Sequence, residues 1–282
     1  MIEIIFLFSL ALIFLIFASF QDLKTRIVYN WISFSLIVFA LGFRFFFSLF
    51  NENWIFFYQG IIGLGIFFII GNLLYYGRMF AGGDAKLMIA LGAVLPISNS
   101  FSINANYFSL FILLFVLTGA VYGTSWSIFL SVKNYKSYSR EFTRQFAKYK
   151  KVVLVMLFLG ILVALLGFYN RIFLYLGFLI FISPYLFIYA KAVDEACMIK
   201  RVNTKKLVEG DWLCGDVKAG KIIKSNWHGL SEEEIKLIRK NHRFVKIKEG
   251  IPFVPVFLVS FLIYFIFTVF FLGAKGFSLL PF

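Results

Sequence analysis

The sequence predicts an all-α polytopic membrane protein with about six to eight transmembrane helices and a small cytoplasmic α+β segment. Three observations carry that prediction. Of 282 residues 61% are hydrophobic, 40 of them Phe, and the mean hydropathy is +0.88, more apolar surface than a soluble domain of this length can hide. The apolar residues gather into runs, most of them near the ~20 residues a helix needs to cross a bilayer. Lys and Arg fall between alternate runs, as they do when they mark one side of a membrane.

The runs are residues 4–20, 31–50, 54–76, 85–96, 107–132, 152–169, 172–190 and 251–273. The first has no basic residues ahead of it (Glu3 is acidic) and no small-x-small cleavage site, so it reads as a retained helix and not a secretory signal. The fourth is short and reads as a sheltered helix. Arg171 leaves room only for a tight turn between the sixth and seventh. Trp31 and Trp54, at run ends, suit an interfacial aromatic belt.

With the N-terminus outside, the inner connections are 21–30, 77–84, 133–151 and 191–250, and 25 of the 28 Lys and Arg lie within them or at their edge. The exceptions are Arg44, Arg171 and Lys275. Arg44, in an apolar run, is expected to snorkel outward or to meet a buried partner. The net charge of +14 follows this topology, which speaks against a nucleic-acid partner. The basic stretch 133–151 is expected to lie against anionic membrane lipids. The organisation expected is a membrane domain over 1–190, a cytoplasmic segment over 191–250, and a final transmembrane helix with a short outer tail over 251–282. Within the segment, Ser231 and Glu234 form a capping box with Leu230 and Ile235 as its staple, opening a helix over 232–240. The glycines and β-branched residues of 215–223 predict a short hairpin.

Two aspartates stand out. Asp22 in Gln21-Asp22-Leu23-Lys24 and Asp84 in Gly82-Gly83-Asp84-Ala85-Lys86 each lie at the end of an apolar run, each with a lysine two residues later, on the same expected face. Carboxylates at the edge of hydrocarbon are costly. Two close together cannot both ionise cheaply, so they share a proton near neutral pH. One can then activate a water while the other hydrogen-bonds a carbonyl oxygen, the acid–base division of an aspartic protease. Lys24 and Lys86 would tune or orient the pair. Gly82 and Gly83 would let a peptide backbone approach. The bland reading, that each aspartate caps or flanks a helix, is favoured for Asp84 by the helix dipole alone.

The stretch Gln21-Asp22-Leu23-Lys24-Thr25-Arg26-Ile27 through Asn30-Trp31, with Gly82-Gly83-Asp84-Ala85-Lys86, resembles the type IV prepilin peptidases, the GxGD class of membrane aspartic proteases. Lys248-Glu249-Gly250-Ile251-Pro252-Phe253-Val254-Pro255 is similar to the archaeal branch that includes preflagellin peptidases. Ala81 stands where the pattern has its first glycine. The resemblance implies catalysis by Asp22 and Asp84 without a cofactor or metal, at the cytosolic face of a cell membrane. The implied substrates are pilin-like or archaellin precursors with a short basic leader and a hydrophobic helix. Relatives that also methylate carry a cysteine-rich segment near the N-terminus. Here no cysteine precedes Cys197, so no N-methyltransferase activity is expected. Glu209, Asp211 and Asp216 are candidates for the leader's cations, whereas Glu232 to Glu234 read as a solvated helix face.

Cys197, Cys214, His228 and His242 lack the close spacings of a structural zinc site and read as scattered residues. The alternative from another class is a proton- or cation-coupled transporter using Asp22 and Asp84 as a relay. Such sites lie near the midplane in corresponding halves, and the chain shows no internal repeat.

Overall fold

The computed structural model describes residues 2–226 and 229–274; His228 and Lys275 lie outside the described residues. The described helices in chain order are α1 (Ile2–Thr25), α2 (Asn30–Phe50), α3 (Trp54–Tyr76), α4 (Gly82–Gly92), α5 (Phe101–Lys133), α6 (Tyr135–Leu165), α7 (Arg171–Cys197), α8 (Glu232–Asn241) and α9 (Val254–Ala274). Six of them, α1–α3 and α5–α7, are long and apolar enough to cross a membrane, and α9 is a further apolar helix. The protein is thus a polytopic all-α membrane protein with a small sheet region. The contacts divide it into two compact units, one formed by Met1–Gly123 with the chain from Pro252 onward, the other by Thr124–Ile251.

In the first unit each helix turns one stripe inward. On α1 it runs Leu7, Ala11, Leu15, Ala18 and Asp22, three or four residues apart, all buried. On α2 it runs Ile32, Leu36, Ala40, Arg44 and Ser48; on α3, Phe56, Gly60, Gly63, Phe67 and Gly71. The small residues of α3 let the short α4 come close, as in membrane helix pairs generally. A Cβ on Gly63 would stand 2.3 Å from the Gly92 carbonyl oxygen. The short fourth run is therefore the sheltered helix the sequence suggests: Ala85, Leu87, Met88, Ala90 and Leu91 are buried, as is the segment 93–96 that follows. Gly63→Ala is expected to push α3 from α4 and destabilise the protein by about 1–3 kcal/mol. Thermal unfolding in detergent checks this, and a melting curve unchanged from the parent's would rule it out.

In the second unit α6 and α7 form a long antiparallel hairpin whose turn is capped where the Asn170 side chain accepts from the Ile172 N–H. Here helix extends beyond the apolar runs. The basic connection 133–151 is helical on both sides of Asn134: α5 runs to Lys133 and α6 opens at Tyr135. No Gly or Pro interrupts 135–151, and Glu141 pairs with Arg144 one turn on. Hydropathy ends the run where charge begins, although helical propensity continues. For the same reason α7 passes residue 190 and ends at Cys197.

The polar segment beyond α7 builds β1 (Ile199–Asn203), β2 (Trp212–Leu213), β3 (Val217–Ala219), β4 (Lys221–Ile223) and β5 (Phe244–Lys248). β5 pairs antiparallel with both β1 and β2. β3 and β4 form the expected hairpin about Gly220, whose φ of +78° requires the left-handed region. Ser231 and Glu234 form the predicted capping box of α8, and Leu230 and Ile235 are buried in the same apolar cluster.

Candidate functional site

Asp22 closes the inward stripe of α1 and is buried at 6% exposure. Its Oδ2 accepts the Val254 N–H at 3.0 Å, and the Phe253 amide also donates to it. A carboxylate here satisfies the free N–H groups at the start of α9 and meets the positive end of its dipole. α1 then ends where Arg26 takes φ +60° and donates its N–H to the Asp22 carbonyl at 2.9 Å.

Asp84 is half-buried in the first turn of α4. Its carboxylate reaches back to the N–H of the N-cap residue Ala81, one half of a capping box. Ala81 has φ −71° and ψ 161°, extended backbone open to any residue, so the missing first glycine costs no conformational strain. Gly83 does meet a close approach, but to the chain itself: a Cβ there would lie 3.0 Å from Val28 Cβ, whereas one on Gly82 would meet only Tyr75 at 3.8 Å.

Both aspartates therefore cap helices, Asp84 its own and Asp22 a distant one. Capping alone does not require them to be neighbours. Yet the Asp22 carboxylate acts on Asp84 as a nearby like charge, and Tyr122 of α5 lies within the same electrostatic reach of Asp22 and Arg26. Phe80 packs against Phe115 edge-on and against Phe253 and Phe257 at a tilt, with ring centroids 5.8–6.0 Å apart. That cluster ties the Asp84 turn to the start of α9. The chemistry open to the pair is that of two coupled carboxyl groups beside ordered amides.

The lysines sit differently. Lys86 Nζ donates to Asn30 Oδ1 at 2.7 Å, joining α4 to the start of α2, while Lys24 is exposed on α1. Of the leader candidates, Asp211 accepts the Val208 N–H at 2.8 Å and Asp216 accepts the Ser225 N–H at 2.9 Å, so both hold turns of their own unit. Burial pushes the Asp211 carboxyl above the ordinary carboxylate range, against the pull of the Val208 amide. Glu209 is exposed, as is Asp216 outside its bond. Cys197 is buried, Cys214 is exposed, and His242 Nε2 lies 2.7 Å from the Lys218 carbonyl oxygen.

Sequence reading missed Val254, Phe253, Phe80 and Tyr122, which assemble around the pair only in the fold. For Phe253 and Val254 the available signals were the resemblance over Lys248 to Pro255 and the flanking prolines Pro252 and Pro255, which mark a helix start near the last run.

Residues 9–125 match the Type IV leader peptidase family, a stretch that contains both aspartates. The preflagellin peptidase of Methanocaldococcus jannaschii is 30% identical over 89 residues, covering 32% of this chain and 38% of that protein. Prepilin peptidase EppA of Methanothermobacter thermautotrophicus is 35% identical over 102 residues, 35% of this chain and 26% of that protein. The preflagellin peptidase of Methanococcus maripaludis is 34% identical over 82 residues, 29% of this chain and 35% of that protein. The chain thus spans 26–38% of the length of these relatives. No solved structure matches it. These matches bear out the resemblance read from the two motifs.

Proposed function

We propose that this chain, whose residues 9–125 match the type IV leader peptidases, is a membrane-embedded aspartic endopeptidase. It removes the short basic leader from pilin-like or archaellin precursors at the cytosolic membrane face. The observation that supports this best is the meeting of Asp22 and Asp84 as coupled charges, from the end of α1 and the start of α4. Sharing one proton, the pair presents a carboxylate that takes a proton from water and a carboxyl that hydrogen-bonds the scissile carbonyl oxygen. Hydroxide adds to the carbonyl carbon, the C–N bond breaks, and the departing amine takes the shared proton. Neither metal nor cofactor enters these steps. Exposed Glu209 and Asp216 remain the candidates for meeting the leader's cations, while the basic first half of α6 meets anionic lipid.

The test is purified full-length chain incubated with a leader-bearing precursor. We expect cleavage between the basic leader and the hydrophobic helix, with an unmethylated new N-terminus by mass spectrometry. No cleavage of archaellin or pilin-like precursors would sink the reading, and a methylated product would refute the absence of transferase activity.

Orientation is tested separately. Single cysteines replacing Lys136 and Lys224 should be shielded from an impermeant thiol reagent in intact cells, and one at Ser102 should react. Ser102 is exposed near the start of α5. Labelling at Lys224 would put the site on the wrong side for a cytosolic cut.

A further inference from the structure

The three-stranded sheet of the second unit has one covered face and one bare one. Side chains alternate along its strands. Val202, Leu213, Val245 and Ile247 turn inward, into the apolar cluster that Ile235 and Ile238 of α8 complete. The other face carries Ile199, Arg201 and Asn203 of β1, Trp212 of β2, and Phe244, Lys246 and Lys248 of β5. Arg201, Phe244 and Lys246 are exposed there. Arg201 stands directly opposite Lys246, a like-charge pairing that costs stability in a sheet. The Arg201 guanidinium also lies 4.9 Å from the centre of the Phe244 ring, and that of Arg243 lies 5.7 Å from it. None of these strand residues is acidic. A merely solvated surface mixes its signs, as α8 does where Glu232 meets Lys236.

We propose that this bare face docks on anionic phospholipid headgroups at the surface of the membrane that α7 enters. Cations flanking aromatic rings suit a charged interface: guanidinium forks meet phosphate while the rings sit at headgroup level. The way the chain is tethered favours lipid over a soluble acidic partner. β1 starts at Ile199, just after α7 ends at Cys197, and only a short stretch separates Lys248 of β5 from Val254 of α9. Both ends of the module are thus tied to apolar helices, which keeps headgroups at high effective concentration beside it. The face also looks back toward that membrane. Lys248, which belongs to it, bonds Asp194 at 2.6 Å, about one turn of α7 nearer the apolar run than the helix end at Cys197. The inference stands apart from the peptidase reading.

The test uses the full-length chain in nanodiscs of phosphatidylcholine alone or mixed with phosphatidylglycerol, carrying a photoactivatable phenylalanine analogue at Phe244. A matched probe at Lys236, exposed on α8 across the sheet, is the control. We expect lipid adducts at Phe244 in the phosphatidylglycerol discs and few at Lys236 in either. Adducts at Phe244 should fall about tenfold in phosphatidylcholine, or when Arg201→Gln and Lys246→Gln are combined. The double variant relieves the Arg201–Lys246 opposition, so it should melt no lower than the parent. If it does melt lower, the lipid comparison and a salt series decide instead. Salt at about 1 M should release the face, because the screening length falls to about 3 Å. Equal adducts in both lipids, equal adducts at Lys236, or none at Phe244 would overturn the docking surface. Each of those results leaves the peptidase reading as it stands.

Discussion

Asp22→Asn and Asp84→Asn are each expected to lower precursor cleavage by about 10²–10⁴-fold, the contribution of a positioned acid or base. Both proteins should still insert and accumulate. The structure makes this substitution informative because it separates the two roles of each aspartate. An asparagine oxygen can still accept the Val254 N–H at the start of α9, or the Ala81 N–H at the start of α4, so the cap survives in part. An amide can neither share the pair's proton nor take one from water. If capping were the whole role, Asn would be nearly silent and Ala would cost about 1 kcal/mol of stability. The decisive comparison is kcat for Asn and Ala variants beside their thermal stability. Near-parental turnover by either Asn variant would end the two-aspartate mechanism. A matching loss in both Asn variants, with stability preserved, would show that the pair acts as one unit.

The sequence announces some of this site and conceals the rest, for physical reasons that particular residues make plain. Asp22 and Asp84 are legible because a carboxylate beside an apolar run has few excuses. Their helices are legible because hydropathy reports them directly. The capping box of α8 and the β3–β4 turn are also legible, since both are local: Ser231 meets Glu234 and Gly220 turns within a few residues. The partner of Asp22 was not. Val254 is distant in the chain, and an unremarkable backbone N–H leaves no mark in composition. The helical basic stretch 135–151 was hidden differently, because polar residues end an apolar run without ending a helix. Lys86 was read as tuning or orienting the pair, and the fold adds a contact the sequence does not show, its ammonium donating to Asn30. Side-chain direction on a short helix start is set by neighbours that only the fold supplies.

The other large effect is expected far from the aspartates. Arg44 is fully buried on the inward stripe of α2 and resolves the choice between snorkelling and a buried partner in favour of the latter. Its Nε donates to the Ala93 carbonyl at 2.9 Å, Nη1 to Phe56 at 2.9 Å, and Nη2 to Val94 at 3.1 Å and to Pro96. Three of those four acceptors, the carbonyls of Ala93, Val94 and Pro96, lie at the C-cap of α4 and in the buried segment just beyond it, where no helical N–H follows to bond them. No water reaches them in hydrocarbon, so one guanidinium fork closes the end of the helix whose other end carries Asp84. Gly60 leaves the space: a Cβ there would stand 2.5 Å from Arg44 Cδ. Arg44→Met removes the desolvation cost of the cation but strands several carbonyls, each worth about 1–3 kcal/mol when buried and unbonded. A net loss of about 3 kcal/mol is expected, read as a lower melting temperature in detergent. Arg44→Lys should recover only part of it, because a single ammonium cannot span a fork of acceptors. α4 is only about 16 Å long, so a loosened C-terminal end tilts Asp84 against Asp22. Turnover measured well below the melting point should therefore fall in kcat more than it rises in KM. If Arg44→Met melts with the parent and turns over at its rate, the guanidinium anchors nothing, and α4 must be held by its packing against α3 and α2 and by the Lys86–Asn30 bond.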